Sequence, residues 1–271
     1  YGPFDGVIHF AAYKAVGESV KEPLKYYHNN VGSLVVLLQT MQNHGVTNLV
    51  FSSSCTVYGQ PETLPVTEKS PLQEAASPYG YTKQVCERIL LDLGKGSSVN
   101  LKSVLLRYFN PIGAHPSGAI GELPLGPPEN LVPYITQTAA GIRDSLTVFG
   151  DDYNTSDGTC VRDYIHVVDL AAAHVAALAK AASLEGSSAI FNLGTGRGNS
   201  VKEVIDTFEE VSGEKLNYTL GPRRPGDVEQ IYASVDLAEK ELGWSCQYEL
   251  SDALKHAWNW QKTLKLKESA E

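Results

Sequence analysis

Ser77-Pro78-Tyr79-Gly80-Tyr81-Thr82-Lys83 opens a helix. Proline fits a first helical turn, where its missing N–H has no partner to lose, and a serine before it is a good N-cap. Residues 84–93 hold no breaker and carry apolar Val85, Ile89, Leu90 and Leu93, with Gly94 as a natural stop. The pattern predicts a helix over 78–93. On either side lie short apolar strands, 48–52 (with Leu49, Val50 and Phe51) and 104–109. Upstream, 7–10 reads as a buried strand. A long helix reads over 24–43, with Tyr27, Val31, Leu34, Val35, Leu38 and Met41 on its apolar side and Gly45 ending it. This β-α-β-α-β alternation predicts an α/β fold built on a doubly wound parallel sheet. Ligands of such sheets lie beyond the carboxyl ends of the strands, here Phe10-Ala11-Ala12, Ser52-Ser53-Ser54 and Tyr108-Phe109-Asn110.

Past residue 110 the texture changes. Residues 111–129 are rich in Gly and Pro without a period and read as loop. A short helix is expected over 132–141, a strand over 146–149, a polar loop over 151–157, a helix over 164–182 and a strand over 189–193. The last two are expected to rejoin the main sheet. Ser200-Val201-Lys202-Glu203 is a capping box that opens a helix to about 211. Helices over 237–242 and 251–265 follow, and 267–271 are expected to fray. Gly194-Thr195-Gly196-Arg197-Gly198 follows a strand and precedes a helix but lacks a Lys-Ser/Thr pair, so a tight turn is favoured over a phosphate loop.

Composition narrows the function. A net charge of −9 argues against nucleic acid and anionic membranes as partners. The 42% apolar and 20% charged residues are those of a soluble globular chain, and no apolar run is long enough to span a bilayer. Cys55, Cys86, Cys160 and Cys246 lie far apart with no Cys-x-x-Cys, so buried thiols are expected rather than a metal site or disulfides. No signal peptide is visible, and a cytoplasmic setting is expected. The chain begins Tyr1-Gly2-Pro3, has Met41 as its one methionine and opens almost directly on a strand, so it reads as the middle of a longer protein.

On the 78–93 helix, Tyr79 and Lys83 are at i and i+4 and share a face. An ammonium beside a phenol favours the phenolate and lowers its pKa, which makes a tyrosine usable as general base or acid. The spacing alone favours the plainer reading, a surface lysine lying along a ring. Ser54, Tyr79 and Lys83 together resemble the Ser-Tyr-Lys triad of the extended short-chain dehydrogenase/reductases. The resemblance extends to the UDP-glucose 4-epimerases (UDP-galactose 4-epimerases). It is carried by His9-Phe10-Ala11, Lys14-Ala15-Val16-Gly17-Glu18-Ser19, Phe51-Ser52-Ser53-Ser54, Thr56-Val57-Tyr58-Gly59, Arg107-Tyr108-Phe109-Asn110-Pro111, Gly113-Ala114-His115, Asp157-Gly158-Thr159, Val161-Arg162-Asp163-Tyr164-Ile165-His166 and Arg223-Arg224-Pro225-Gly226-Asp227.

The resemblance implies a Rossmann-like NAD-binding domain, 1–111 with 163–195, whose first strands are missing. It implies a smaller C-terminal α/β UDP-sugar-binding domain, 112–162 with 196–271. Tyr79 would be the base. Lys83 would bond the nicotinamide ribose, and Ser54 the sugar 4-hydroxyl. Phe10, Ala11, Lys14, Asn30, Ser52 and Tyr108 match cofactor contacts. Asn110, Asn130, Leu131, Thr147, Phe149, Arg162, Arg224 and Asp227 match the UDP-sugar site. Guanidinium forks suit diphosphate oxygens, although Arg162 beside Asp163 and Arg224 near Asp227 also read as local ion pairs. Ile231 would face the sugar near C2 and set tolerance of an N-acetyl group; it also reads as a core residue. The implied reaction is reversible C4 epimerisation of UDP-glucose and UDP-galactose through a 4-keto sugar, with NAD as cofactor and no metal. The implied assembly is a homodimer through helices 24–43 and 78–93.

Some features depart from the family. Ala12 and Tyr13 stand where Gly and Leu are common, and Cys55 and Cys160 replace small residues. The Gly-rich turn G-x-x-G-x-x-G and the acidic residue for the adenosine ribose do not occur, so the chain by itself is expected to be inactive, to bind NAD poorly and to aggregate. A UDP-sugar decarboxylase, a UDP-pentose 4-epimerase and a non-catalytic sugar-nucleotide binder are the alternatives. A 4,6-dehydratase would need an acid beside Ser54, where Ser53 and Cys55 stand.

Overall fold

A computed structural model of the chain describes residues 2–96, 100–124, 126–224 and 227–268. Strand β1 (Val7–His9) leads to three helices, α1 (Val16–Lys21), α2 (Pro23–Tyr26) and α3 (Gly32–Asn43). A π-helical turn, Tyr27–Val31, joins the last two. The single helix expected over 24–43 is therefore two α-helical pieces with a widened turn between them, and α1 precedes them unforeseen. The widened turn carries Asn30, whose amide reaches back to Tyr13: its Oδ1 accepts from the Tyr13 N–H at 2.8 Å and its Nδ2 donates to the Tyr13 carbonyl at 3.0 Å. Single π turns of this kind often mark functional positions.

Strand β2 (Asn48–Ser52) ends in a 3-10 turn, Cys55–Tyr58, and is followed by α4 (Pro78–Lys95) and β3 (Lys102–Tyr108). The expected stop at Gly94 is wrong by two residues. The helix runs on, and the N–H of Gly96 closes it on the carbonyls of Asp92 and Leu93. Gly94 lies within the helix, at a point where a Cβ would stand 2.6 Å from the Ser187 hydroxyl. Next come β4 (Asn110–Ile112), α5 (Leu131–Ala139), β5 (Leu146–Phe149), β6 (Val161–Arg162), β7 (Tyr164–His166) and α6 (Val167–Ala182). The chain continues with β8 (Ser188–Leu193), β9 (Asn199–Ser200), α7 (Val201–Ser212), β10 (Tyr218–Gly221), β11 (Gln230–Ile231), α8 (Asp236–Leu242) and α9 (Leu250–Glu268). Helix α9 takes in the first two residues of the tail expected to fray, 267 and 268, and residues 269–271 lie outside the described residues.

The chain divides into two compact units. The first comprises Tyr1–Phe109, Ala172–Leu193 and Ala233–Trp244. Its sheet has the order β1-β2-β3-β8 with every pair parallel. The β8 strand thus joins the main sheet as expected. Leu49 and Phe51 of β2 and Leu105 of β3 pack with Leu34, Leu38 and Met41 of α3 and with Cys86 and Leu90 of α4. On the β1 side Leu178 of α6 comes so close that a Cβ on Gly6 would meet it at 2.8 Å. The expectation of a buried first strand fails in part: β1 is half-buried, because it lies at the edge of the four strands.

The second unit comprises Asn110–Ala171, Gly194–Tyr232 and Ser245–Glu271. Helices α5, α7 and α9 enclose its core, where Ile135, Phe208, Leu254 and Trp258 meet Val148 of β5. Helix α7 has the predicted capping box, Ser200 with Glu203, and ends on Gly213 at φ 74°. Small strand pairs complete the unit: β4 with β7, β5 with β10, and β11-β6-β9. Two expectations are corrected here. The loop over 111–129 begins inside a strand, and the helix over 164–182 begins only at Val167, because 164–166 pair with 110–112 as β7 and β4. Among the described residues no helix is long and apolar enough to cross a membrane, and no three His, Cys, Asp or Glu side chains group as metal ligands.

Candidate active site

Ser77 caps α4 by accepting from the Gly80 N–H at 3.2 Å. Pro78 occupies the first turn, and Tyr79 and Lys83 follow on the face turned to β2. Gly80 lets the helix approach the 3-10 turn, since a Cβ there would stand 3.2 Å from the Thr56 carbonyl oxygen. Lys83 is buried, and its Nζ donates to the Ser52 carbonyl at 2.7 Å. The same nitrogen lies 5.0 Å from the Phe51 ring centre and 5.9 Å from that of Tyr79. Ser54, just past β2, accepts from the N–H of Thr56 at 3.2 Å and from its hydroxyl at 3.0 Å, and it hydrogen-bonds the Tyr79 phenol. The structure thus brings Ser54, Tyr79 and Lys83 together.

Their electrostatics differ from the reading of the spacing. Burial pushes the Tyr79 phenol far above its usual range, the neighbouring Tyr108 adds to this, and the Ser54 hydrogen bond offsets only part. The Lys83 ammonium is directed at the Ser52 carbonyl, with its Nζ 5.9 Å from the Tyr79 ring centre, and its own desolvation is the largest influence on it. Burial brings Lys83 down to about 8, against the opposing influence of Cys86 and Glu87. Spacing showed the shared face; it did not show that both groups would be dry.

The other positions matched to the cofactor surround the strand ends of the same unit. Ser52 and Tyr108 hydrogen-bond through their hydroxyls. Phe10 is 55% exposed with its ring 4.5 Å from that of His174, and Ala11 and Lys14 are exposed beside it. Asn30 is buried and its amide also donates to the Thr82 hydroxyl at 3.2 Å, so it shapes the 10–14 loop through Tyr13.

In the second unit two arginines converge on Asp227. Arg224 binds it as a fork, Nη2 to Oδ1 at 2.8 Å and Nε to Oδ2 at 3.2 Å, and Arg162 Nη2 lies 3.9 Å from Oδ1. Pro225 and Gly226 of that motif lie outside the described residues. The Arg224 guanidinium sits 5.8 Å from the Phe149 ring centre, and Thr147 is two residues earlier on the same face of β5. Ile231 is registered beside Arg162 across β11 and β6 and is 3% exposed. Asn110 hydrogen-bonds the Asp163 carbonyl from its N–H at 2.9 Å. Asn130 precedes α5 without capping it and instead donates to Glu122 at 2.9 Å; Leu131, next to it, is half-buried. No described contact joins Asn130 or Leu131 to the two arginines.

The 194–198 turn binds a carboxylate of its own chain. The Thr195 N–H and hydroxyl donate to Asp163 Oδ1 at 2.7 and 2.8 Å, and the Gly196 N–H to Oδ2 at 3.2 Å. A fully buried carboxylate fills the place a phosphate would need, so the tight-turn reading stands.

The parallel α/β fold and the grouping of Ser54, Tyr79 and Lys83 fit an enzyme of the dehydrogenase/reductase type, and comparison with known proteins places the chain. Residues 3–257 match the family model described as GDP-mannose 4,6 dehydratase. The chain is 54% identical over 257 residues to UDP-glucose 4-epimerase 2 of Arabidopsis thaliana, covering 95% of this chain and 73% of the relative. A crystal structure of UDP-glucose-4-epimerase from Stenotrophomonas maltophila, with bound NAD and formylated UDP-arabinopyranose, superposes with a TM-score of 0.93 at 48% identity, covering 97% of this chain and 77% of that one. UDP-glucose 4-epimerase from Bifidobacterium longum, in complex with NAD+ and UDP, gives 0.92 at 48% identity with the same coverage. The chain belongs to the family of that model and, within it, to the UDP-glucose 4-epimerases.

Proposed function

We propose that the chain interconverts UDP-glucose and UDP-galactose by epimerisation at C4 through a transient 4-keto sugar. The convergence of Ser54, Tyr79 and Lys83 at the end of β2 carries the reading. NAD is the cofactor, and the residues present suit it: a buried ammonium at Lys83, hydroxyls at Ser52 and Tyr108, and exposed Phe10, Ala11 and Lys14 stand at strand carboxyl ends, where dinucleotides bind. Bound NAD supplies the acceptor, and then the donor, of the C4 hydride. Lys83, Tyr79, Phe10, Ala11, Lys14, Ser52 and Tyr108 hold it, with Asn30 fixing the 10–14 loop.

The protein's own residues handle the proton. Ser54 accepts and returns the hydrogen bond of the sugar 4-hydroxyl and orients it toward Tyr79. Tyr79 takes the hydroxyl proton as C4 becomes a carbonyl and gives it back when the opposite face is reduced. Lys83, charged below about pH 8, supplies positive charge beside the phenolate. Arg162 and Arg224 grip the diphosphate and Asp227 accepts from the uridine ribose, with Asn110, Asn130, Leu131, Thr147 and Phe149 completing the nucleotide's contacts. Ile231 bounds the sugar. The cofactor is assigned to the first unit and the UDP-sugar to the second.

The working form is a homodimer. Supporting this, Leu24, Val36 and Tyr81 on the 24–43 and 78–93 helices are 81%, 62% and 50% exposed. Light scattering that gives a monomer mass at micromolar concentration counts against it. A cytoplasmic setting suits four cysteines that form no disulfide. The 271 residues by themselves are expected to be inactive, since no G-x-x-G-x-x-G turn occurs among them. The formylated UDP-arabinopyranose bound by the Stenotrophomonas relative favours UDP-pentoses as second substrates. The test is conversion of UDP-galactose to UDP-glucose by the full-length, NAD-loaded protein. Absence of conversion, with UDP binding retained, returns the reading to a non-catalytic binder.

A further inference from the structure

Tyr79 and Lys83 are the first two members of a series along α4, and Glu87 is the third. It is 2% exposed and faces the same strand end. Its Oε1 accepts from the Ser53 hydroxyl at 2.5 Å and from Arg107 Nε at 2.9 Å, and its Oε2 accepts from Arg107 Nη2 at 2.6 Å. Arg107, on β3, is equally dry. Its Nη1 donates to the Tyr58 hydroxyl at 3.1 Å, and that hydroxyl donates to Asn192 Oδ1 on β8 at 2.6 Å. The Asn192 amide goes on to the Val66 carbonyl at 3.0 Å. A buried ion pair of this kind is a poor way to gain stability, because apolar side chains of the same volume fill such a site without the desolvation penalty. What the network does uniquely is fix geometry.

Three consecutive serines are held by three consecutive turns of one helix. Lys83 binds the Ser52 carbonyl, Glu87 binds the Ser53 hydroxyl, and Tyr79 bonds the Ser54 hydroxyl. Successive side chains of extended backbone alternate in direction, so a slip of one residue would exchange Ser53 and Ser54. Ser53 is the middle of the three and is fully buried. Its bond to Glu87 therefore sets which serine hydroxyl meets the phenol.

We propose that Glu87, clamped by Arg107, is a positioning residue that fixes the register of Ser52-Ser53-Ser54 against the helix bearing Tyr79 and Lys83. It does so without touching cofactor or substrate. The proposal rests on the epimerase reading for its effect on turnover, though not for its effect on Lys83. Glu87 and Cys86 on the same helix favour the Lys83 ammonium. From β2 the ammonium is faced by the Phe51 ring and the Ser52 carbonyl, and from β1 by His9, whose own protonation the Lys83 charge opposes. Glu87 is the one carboxylate in that set, so neutralising it shifts the Lys83 titration to lower pH.

The test uses the full-length, NAD-loaded protein and three variants, Glu87→Gln, Glu87→Asp and Ser53→Ala. Each is assayed for kcat and KM and, labelled with 13C-lysine, for the Lys83 titration by NMR. Glu87→Gln is expected to lower kcat roughly 10- to 100-fold with KM nearly unchanged, as misplaced reacting groups do. It is also expected to move the Lys83 midpoint below that of the parent. Glu87→Asp, which keeps the charge, restores the midpoint. Ser53→Ala leaves the ion pair and the midpoint intact but lowers kcat about tenfold, the loss of one contact's positioning. A Glu87→Gln protein that titrates and turns over within about twofold of the parent overturns the proposal. So does a Ser53→Ala protein with full kcat, which decides alone if Glu87→Gln does not fold. A parent that does not epimerise refutes the epimerase reading instead, and the lysine titration still tests the link between Glu87 and Lys83.

Discussion

Lys83 Nζ donates to the backbone carbonyl of Ser52 at 2.7 Å, from a position one helical turn beyond Tyr79. The ammonium is therefore anchored to the last residue of β2 and stands beside, not on, the phenol. Burial costs it solvation and lowers its pKa from 10.5 to about 8. A charge kept dry in this way is a poor stabiliser and a useful catalyst.

Lys83→Met should accordingly separate stability from activity. The fall from 10.5 to about 8 corresponds to on the order of 3 kcal/mol of charge burial. Methionine removes that cost but leaves the Ser52 carbonyl without its donor, a loss of about 1–3 kcal/mol. The melting temperature is thus expected to stay level or rise, while kcat falls by about 100-fold or more. Thermal melts with turnover assays check this; a variant that is both less stable and fully active contradicts it.

The same shift predicts a pH dependence with opposite signs for turnover and stability. Below pH 8 Lys83 is charged in both folded and unfolded chains, and its burial penalty is present in full. Between about 8 and 10.5 the unfolded chain binds the proton and the folded chain does not, so this group's contribution to stability rises with pH. Turnover should instead fall through about pH 8 as the ammonium is lost. Relative to Lys83→Met, the parent should gain melting temperature from pH 7 toward 10.5, since the penalty is gone at the upper end while the hydrogen bond to Ser52 remains.

Arg224→Lys tests the diphosphate clamp. The side chain is 52% exposed, so its fork on Asp227 adds little to stability. Lysine keeps the charge and loses the planar fork. The expected result is a KM for UDP-galactose raised about tenfold with kcat nearly unchanged, the signature of lost uniform binding. A drop in kcat at constant KM would contradict it.

Ile231 lies beside Arg162 in register and is nearly inaccessible without a ligand. If it walls the sugar near C2, N-acetyl sugars are discriminated against by about 1–3 kcal/mol, or 10- to 200-fold. Ile231→Tyr should widen the UDP-glucose to UDP-N-acetylglucosamine ratio of kcat/KM and Ile231→Ala should narrow it. The alanine variant also leaves a cavity costing about 2–5 kcal/mol, so it is assayed well below its melting temperature. A ratio indifferent to both substitutions makes Ile231 a core residue.

The elements legible in the sequence are those with a period, a continuous apolar run or a cap. Residues 48–52 read as a strand because all-apolar runs mark parallel strands covered on both faces, and 200–211 read as a helix because Ser200 and Glu203 state its start. Strands β6, β9 and β11 have two residues each, too few for an alternation to show. Strand β7 was absorbed into the helix behind it because Tyr164-Ile165-His166 continues an apolar pattern; only the pairing with 110–112 separates them. In the site, the i, i+4 spacing of Tyr79 and Lys83 gave the shared face, and their desolvation depended on strands remote in sequence. Glu87 was the missed member. Its signal was a carboxylate continuing the Tyr79 and Lys83 face by one more turn, among Cys86, Ile89 and Leu90.

Tyr79→Phe is the most direct test of the central claim, that this phenol exchanges the 4-hydroxyl proton. The substitution removes one oxygen from a buried ring and leaves Lys83 and the Arg162–Arg224 clamp in place. Measured on the full-length, NAD-loaded protein, kcat for UDP-galactose should fall by a factor of at least about 1,000, near the upper part of the range for a lost general base, with the Kd for the UDP-sugar nearly unchanged. Turnover within about tenfold of the parent, a barrier change of only about 1.4 kcal/mol, would contradict it.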